Sequence, residues 1–261
     1  MESIAVRELK DLNLLMGLFC EDRSSAAYLI GALGEDFLEY GTWFAAVEGD
    51  TPKAVILLYE GLSIPALFSW GSAQHLALLL PQVRSRFPDR FLLDSLAPHR
   101  RIWTEHFPLT SGRRMNRLSL IHRRFRPKVA RGIEVRKLGH ADTAAILGLY
   151  TSHPDTFFQP YQLDTGLYFG VWESDRLASV AGVHIISHQA RLGVVGNVMS
   201  AAWARGRGYA RACVSTVCTE LLDQVDFVVV DSPMENAGAT HLLESVGFAK
   251  DFHFDRVVVR R

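Results

Sequence analysis

Hydrophobic and polar residues change period several times along the 261-residue chain. In its second half, GIEVRKL (132–138) alternates with period two, which predicts a strand. ADTAAILGLYTS (141–152) reads as a short helix. GLYFGVWES (166–174) and RLASVAGVHIIS (176–187) read as two strands joined at Ser174 and Asp175, and RLGVVGNVMS (191–200) as a third. From Tyr209 onward, Ala210, Cys213, Val214, Val217, Cys218, Leu221 and Leu222 recur three and four apart, which is one apolar face of a helix. DFVVVD (226–231) is a buried strand by its β-branched run. ENAGATHLLESVGF (235–248) is a helix stopped at Gly247, and RVVVR (256–260) closes as a last strand.

The first half has the same rhythm. SIAVREL (3–9) is strand-like, residues 11–33 are helical in two pieces, and TWFAAVEG, KAVILLYE and SIPALFSW give three strands. SAQHLALLLPQVRSRF is a helix with Pro81 as a break or kink, FLLDSL a strand and HRRIWTEHF a short helix. Each half therefore runs β-α-β-β-β-α-β-α-β. Three consecutive strands pair as antiparallel neighbours and a strand-helix-strand step makes a parallel crossover. The expected class is a mixed α/β sheet, duplicated, with domains at 1–127 and 128–261. Between the halves, residues 113–131 carry Arg113, Arg114, Arg117, Arg123, Arg124, Arg126, Lys128 and Arg131. This stretch reads as a last strand, RLSLIH, with charged outer positions, running into a solvated linker. The competing reading, an anion- or nucleic-acid-binding strip, lacks interleaved aromatics apart from Phe125.

Composition narrows the picture. A hydrophobic fraction of 48% is ample for packed cores, and the formal net charge of +0 gives no reason to expect a nucleic-acid or membrane partner. No signal peptide and no membrane-length apolar run is recognised. Cys20, Cys213 and Cys218 are scattered thiols in apolar helical runs, which fits core packing and a reducing, cytoplasmic setting. The ten histidines show no His-Glu-x-x-His spacing, so no metal site is expected. No Gly-x-Ser-x-Gly nucleophile elbow occurs.

The chemistry concentrates in WARGRGYARA (203–212), where two glycines and two arginines stand at the mouth of a helix. A helix start leaves backbone N–H groups unpaired, and glycine lets them turn toward a bound anion. A Walker loop would need Gly-Lys-Ser/Thr, and a dinucleotide fingerprint would need Gly or Ala where Arg211 stands. RGRGYA (205–210) instead resembles the Arg/Gln-x-x-Gly-x-Gly/Ala signature of the GNAT superfamily of acyl-CoA N-acyltransferases. NAGATHLLESVGF (236–248) is similar to that family's Asn-x-x-Ala…Gly-Phe segment. GLYFGVWESDRLASVAGVHIIS resembles its central hairpin, and GNVMSAAWARGRGYA its fourth strand and loop.

The resemblance implies tandem GNAT-like folds. Each would be a central, mostly antiparallel sheet with helices on both faces and a parallel β-α-β crossover at the cofactor site. The second would be catalytic; the first, without such a loop, would be a degenerate copy that does not bind CoA. It further implies acetyl-CoA, or another short acyl-CoA, as cosubstrate. The amides of Gly206, Arg207, Gly208, Tyr209, Ala210 and Arg211 would hold the diphosphate, with charge from Arg205 and Arg207. Val198, Met199 and Ser200 would pair with the pantetheine arm, which Asn236 would also contact unless it serves only as a helix N-cap.

Two family features are missing. Leu243 stands where a general-acid Tyr is common, and strand 191–200 has no carboxylate. Replacement candidates for base or orienting group are His184, Asp231 and Asn197, each with an ordinary structural role as its alternative. An acceptor site is expected around His153, Asp155, Phe157, Phe158, Tyr161, Tyr168 and Trp172, suited to a small amine or amino acid. The expected function is direct acyl transfer from acyl-CoA to such an amine. The alternative is a non-catalytic acyl-CoA-binding regulator, and a nucleic-acid role ranks last.

Overall fold

A computed structural model describes residues 4–109, 112–151 and 158–261. The chain forms two units that are not its two halves. The first comprises residues 1–116, 233–235 and 252–261; the second comprises 117–232 and 236–251. The division therefore differs from a cut at 127/128: each unit includes a strand from the other half of the sequence.

The first unit contains β1 (Ile4–Glu8), α1 (Leu12–Glu21), α2 (Ala27–Ala32), β2 (Gly41–Glu48), β3 (Thr51–Tyr59), β4 (Ala66–Gly71), α3 (Ala73–Val83), β5 (Arg90–Leu96) and α4 (Arg100–Thr104). Strands β1 to β4 pair in sequence order as antiparallel neighbours. β4 and β5 pair parallel, from Ala66↔Leu92 to Phe68↔Asp94. The strand beside β5 is the end of the chain, within β12 (Ala249–Arg260), with Phe254↔Leu96 through Arg260↔Arg90 antiparallel. One face packs α3 and α4 through Leu76, Leu79, Leu80 and Trp103 against Phe44, Ile56, Leu93, Val257 and Val259. On α1, Phe19 is fully buried and its ring contacts those of Trp43 and Trp70. Pro81 sits inside α3 without ending it, and the helix runs to Val83 before a short 3-10 turn.

The second unit contains the latter part of β6 (Gly112–Ile121), then β7 (Arg136–Lys137), α5 (Thr143–Tyr150), β8 (Phe169–Glu173), β9 (Arg176–Ser187), β10 (Leu192–Ser200), α6 (Tyr209–Leu222), β11 (Phe227–Pro233) and α7 (Ala237–Val246). Its strands lie in the order β6-β11-β10-β9-β8-β7. β7 is only two residues long, against the seven-residue strand expected at 132–138. β10 and β11 are parallel and the β7 to β10 pairings antiparallel. Cys213, Val214, Val217, Cys218 and Leu221 of α6 pack with Leu243 and Val246 of α7 on one face. Ile146 and Tyr150 of α5 pack with Tyr168, Leu177 and Val180 on the other. Helix α7 ends as expected at Gly247, φ +114°, where any Cβ would strike the carbonyl of Arg124. Of the three thiols, Cys213 and Cys218 are core residues but Cys20 is exposed.

The basic stretch is divided among intrachain partners. Arg117 is buried against Asp231, Arg113 and Arg114 each lie 3.7 Å from a carboxylate, and Arg124 donates to Ser119. Among the described residues, no helix is long and apolar enough to cross a membrane. Nor do three His, Cys, Asp or Glu side chains gather there as a metal-binding group.

Candidate functional site

Two observations define the site in the second unit. First, the parallel pairing of β10 with β11 runs from Leu192↔Phe227 to Val195↔Val230 and stops. Yet β10 continues to Ser200 and β11 to Pro233. Val198, Met199 and Ser200 thus lie on a strand that has left its parallel neighbour. Second, the eight residues 201–208 connect β10 to α6, and Gly206 and Gly208 both adopt left-handed backbone, at φ +78° and +82°. A Cβ at Gly206 would meet nothing within 4 Å, and one at Gly208 only ordinary contacts. The glycines are therefore required by backbone direction rather than by crowding. The first hydrogen bond of α6 runs from the Ala212 N–H to the Gly208 carbonyl, 3.0 Å. The amides ahead of it have no intrahelical acceptor by construction.

The side chains of the loop are arranged less simply than its sequence suggests. Glu173, at the end of β8, accepts from Arg207 Nη1 at 2.6 Å and from the Tyr209 hydroxyl. The Tyr209 hydroxyl first, and then Arg207, hold the Glu173 carboxyl below its ordinary range. Arg207 is thus engaged with a carboxylate, while Arg205 is exposed. The Arg211 guanidinium lies beside Gly208, and its buried Nε has no hydrogen-bond partner among the described residues. Two hydroxyls on the α7 side are in the same condition. Ser232 Oγ follows the paired part of β11, Thr240 Oγ1 lies in α7, and both are buried without a partner among the described residues. Buried polar atoms of this kind are uncommon in native proteins.

The three candidates for proton transfer or orientation fare differently. The His184 ring lies against Gly196, where any Cβ would collide with the imidazole. Gly196 is the first residue of β10 past its pairing with β11, so this ring stands where the strands part. Asp231, by contrast, is buried, and both of its oxygens are held by Arg117, Nε at 2.5 Å and Nη2 at 3.2 Å. It is a salt-bridged strand-end residue. Asn197 is left-handed, φ +53°, and its side-chain nitrogen donates to Gln162 Oε1 and to the Tyr168 hydroxyl, each at 2.9 Å. Both of its N–H donors are engaged inside the protein. Asn236 caps α7, accepting from the Ala239 N–H at 3.0 Å, and is exposed. Leu243 is core, packed with α6.

Of the expected acceptor residues, His153, Asp155 and Phe157 lie outside the described residues. Phe158 and Tyr168 are buried, and burial pushes the Tyr168 phenol well up. Trp172 packs under Arg136, 5.4 Å from its guanidinium, and Tyr161 is exposed. Cys213 is buried and its thiol is pushed up to about 12 by desolvation, which fits packing rather than nucleophilic work.

The sequence of residues 129–248 matches the acetyltransferase (GNAT) family. Residues 129–248 belong to the GNAT superfamily of acetyltransferases. No curated protein matches the chain. Among solved structures, a Drosophila protein superposes with a TM-score of 0.70 at 16% identity, covering 99% of each chain. A GCN5-related N-acetyltransferase from Sphaerobacter thermophilus gives 0.67 at 14% identity, covering 99% of this chain and 96% of its own. A tandem GNAT protein from the clavulanic acid biosynthesis pathway gives 0.61 at 12%, covering 99% and 98%. At these identities the likeness is one of fold, and it extends over both units. The GNAT chemistry is acyl transfer, and within the matched residues β10 parts from β11 ahead of a turn with two left-handed glycines.

One sequence signal went unread. FLLDS (91–95) and VVVDS (228–232) end the second strand of each crossover with the same Asp-Ser pair. In the first unit Asp94 is held by Arg256 at 2.8 and 2.7 Å, as Asp231 is by Arg117 in the second. Ser95 Oγ, like Ser232 Oγ, is buried without a partner among the described residues. The first unit diverges at the connection itself: only Ser72 separates β4 from α3. Beside it the His99 Nε2–H donates to the Gly71 carbonyl at 2.9 Å, and the Ser69 hydroxyl bonds His99 Nδ1 at 2.9 Å. Trp103 Nε1 completes the chain, donating to Ser69 at 3.2 Å.

Proposed function

We propose that this protein is an acyl-CoA-dependent N-acyltransferase, using acetyl-CoA or another short acyl-CoA and acting on the amine of a small molecule or amino acid. The observation that carries the reading is the end of β10–β11 pairing at Val195↔Val230, directly ahead of a connection with two left-handed glycines. The residues fit a CoA. The amides of Gly206 to Arg211 would meet a diphosphate, and the buried Arg211 Nε lies near them. The buried hydroxyls of Ser232 and Thr240 suit the amides of a pantetheine arm, as do the β10 edge groups of Val198 to Ser200. When bound, acyl-CoA would supply a thioester carbonyl open to attack by a neutral amine. A backbone N–H at Val198 or Met199 would polarise that carbonyl, and holding both reactants in one cleft would supply much of the acceleration.

His184 is the group proposed to take the amine's proton, directly or through water. Asp231 and Asn197 are not, since Arg117 occupies the one and Gln162 and Tyr168 the other. The first unit is proposed not to bind CoA, because its crossover lacks the loop and His99 occupies the turn. A cytoplasmic location is likewise proposed from the free thiols.

One observation favours a second reading, a non-catalytic acyl-CoA sensor. Leu243 lies in the core, so no hydroxyl stands at that position to protonate a leaving thiolate. Mixing the protein with acetyl-CoA and a panel of small amines, and following free thiol, separates the two. Amine-dependent thiol release supports the transferase; tight CoA binding with no release over the panel supports the sensor. No binding of either form overturns both.

A further inference from the structure

The polar residues around Asn197 raise a question that the proposed chemistry leaves open: why is the last stretch of β10 held so firmly? Gly196 pairs with Gly182, and the next pair is Met199 with Val180. Asn197 and Val198 therefore stand opposite Ala181 alone, a β-bulge. Within it Asn197 takes a left-handed conformation that non-glycine residues rarely adopt. Three elements converge on this one residue. From the end of α5, the Tyr150 hydroxyl donates to the Asn197 carbonyl at 2.6 Å. From the 3-10 turn Pro160–Thr165, Gln162 Oε1 accepts from the Asn197 amide. Just before β8, the Tyr168 hydroxyl accepts from the same amide and donates to Gln162 at 2.9 Å. Tyr150, Gln162 and Tyr168 are all buried. Hydrogen bonds in such surroundings are strong and costly to leave unmade.

We propose that Tyr150, Gln162 and Tyr168 are positioning residues: by holding Asn197 left-handed they set the direction of the Val198 amide, which faces the acyl carbonyl where β10 leaves β11. The proposal deepens the acyltransferase reading and rests on it. The bulge begins one residue past the last residue to pair with Gly182. A regular continuation of β10 would keep the alternation of amide directions unbroken; the extra residue shifts it by one. The contacts to the Asn197 side chain leave it no spare donor for a substrate, so its part is conformational. The four groups act on the substrate only through the backbone they fix.

The test exploits glycine, which accepts left-handed backbone without a side chain. Asn197→Ala loses both the side-chain bonds and the ease of positive φ; Asn197→Gly loses only the former. Asn197→Ala is expected to lower kcat with acetyl-CoA about tenfold, and Asn197→Gly to recover most of that loss. Tyr150→Phe, which removes one bond without changing shape, should fall between. In all three the affinity for CoA without an acyl group should fall by a smaller factor than kcat, because the diphosphate is gripped elsewhere.

A readout on the ligand-free protein is independent of turnover. Amide exchange at residues 198 and 199 should quicken in Asn197→Ala and Tyr150→Phe while that of α6 is unchanged. If Asn197→Gly is as impaired as Asn197→Ala, or if exchange at 198 and 199 does not respond, the proposal is overturned. Should the wild-type protein turn over no amine, the transferase reading falls separately. The proposal then stands on the exchange result together with a selective loss of affinity for acetyl-CoA over CoA in Asn197→Ala, and it falls if either is missing.

Discussion

Gly208 shows how a single position separates fold from binding. Its surroundings are open, so Gly208→Asp meets only the cost of positive φ, which Asp tolerates better than most residues. A carboxylate there would nevertheless face the diphosphate. The variant should keep its melting temperature within a few degrees and bind CoA at least about thirtyfold more weakly in calorimetry, since a unit of like charge near phosphate costs about 2 kcal/mol or more. Unchanged affinity would refute the cradle. His184→Gln should lower the rate more than CoA affinity and remove the acidic limb of the pH–rate profile; an unaltered profile removes His184 from the proposed mechanism. His99 has a structural pH dependence of definite sign. Burial holds its pKa below the ordinary 6.5, against a smaller opposing effect of its bond to the Gly71 carbonyl. The unfolded chain then binds more protons than the folded one as pH falls below about 6.5. The stability of the first unit should thus be full above that pH and decline as pH drops toward the folded value. Denaturation midpoints at pH 5 and pH 8 should differ less in His99→Gln than in the parent chain. At this scale much was legible: the glycines, and the chemistry they permit, are written in RGRGYA. The employment of Asp231 and Asn197 was not, because whether a carboxylate or amide is available depends on what packs against it.

At the scale of elements, each parallel crossover ends in an Asp clamped by an Arg of the adjoining strand. Arg117 and Asp231 are about as buried as the core around them. Such a pair adds little to stability over an apolar one, but breaking it leaves a buried charge alone. Asp231→Ala should therefore cost about 3 kcal/mol or more in a denaturant titration. If Asp231 is structural only, the folded fraction should retain near-parent kcat at low temperature; a large kcat loss in folded protein would return it to the chemistry. Helix α7 explains why restoring the family's Tyr at 243 is not a simple substitution. Leu243 packs with α6, and a larger ring would overfill the site by about 1–3 kcal/mol. Most elements were readable from periodicity, since burial on one face leaves a period of two or near four in the sequence. The strand expected at 132–138 shrank to Arg136–Lys137 because the ladder with β8 covers only those residues, opposite Gly170 and Phe169, with one further bond from the Leu138 N–H to the Tyr168 carbonyl. Alternation proposes a strand, and a neighbour decides it.

At the scale of the whole molecule, the chain ends by completing its beginning. Val257 and Val259 are core residues of the first unit, although they follow the GNAT domain in sequence. Val259→Asp places a charge at a fully buried position and should raise amide exchange in β4 and β5 before that of β9 to β11. The opposite order would mean that the last strand serves the second unit. What the sequence alone determined was local: the order of strands and helices, the duplication, and a glycine turn whose backbone can face an anion. These follow from residue periods and allowed φ values, which act over a few positions. What only the tertiary structure decided was partnership over long separations. Arg256 reaches Asp94 across 162 residues and Arg117 reaches Asp231 across 114. These contacts assign the end of the last strand to the first unit and hold both oxygens of Asp231 in a salt bridge. Strand pairing and buried charge are selected by which surfaces meet in the folded chain, and no local pattern encodes that meeting.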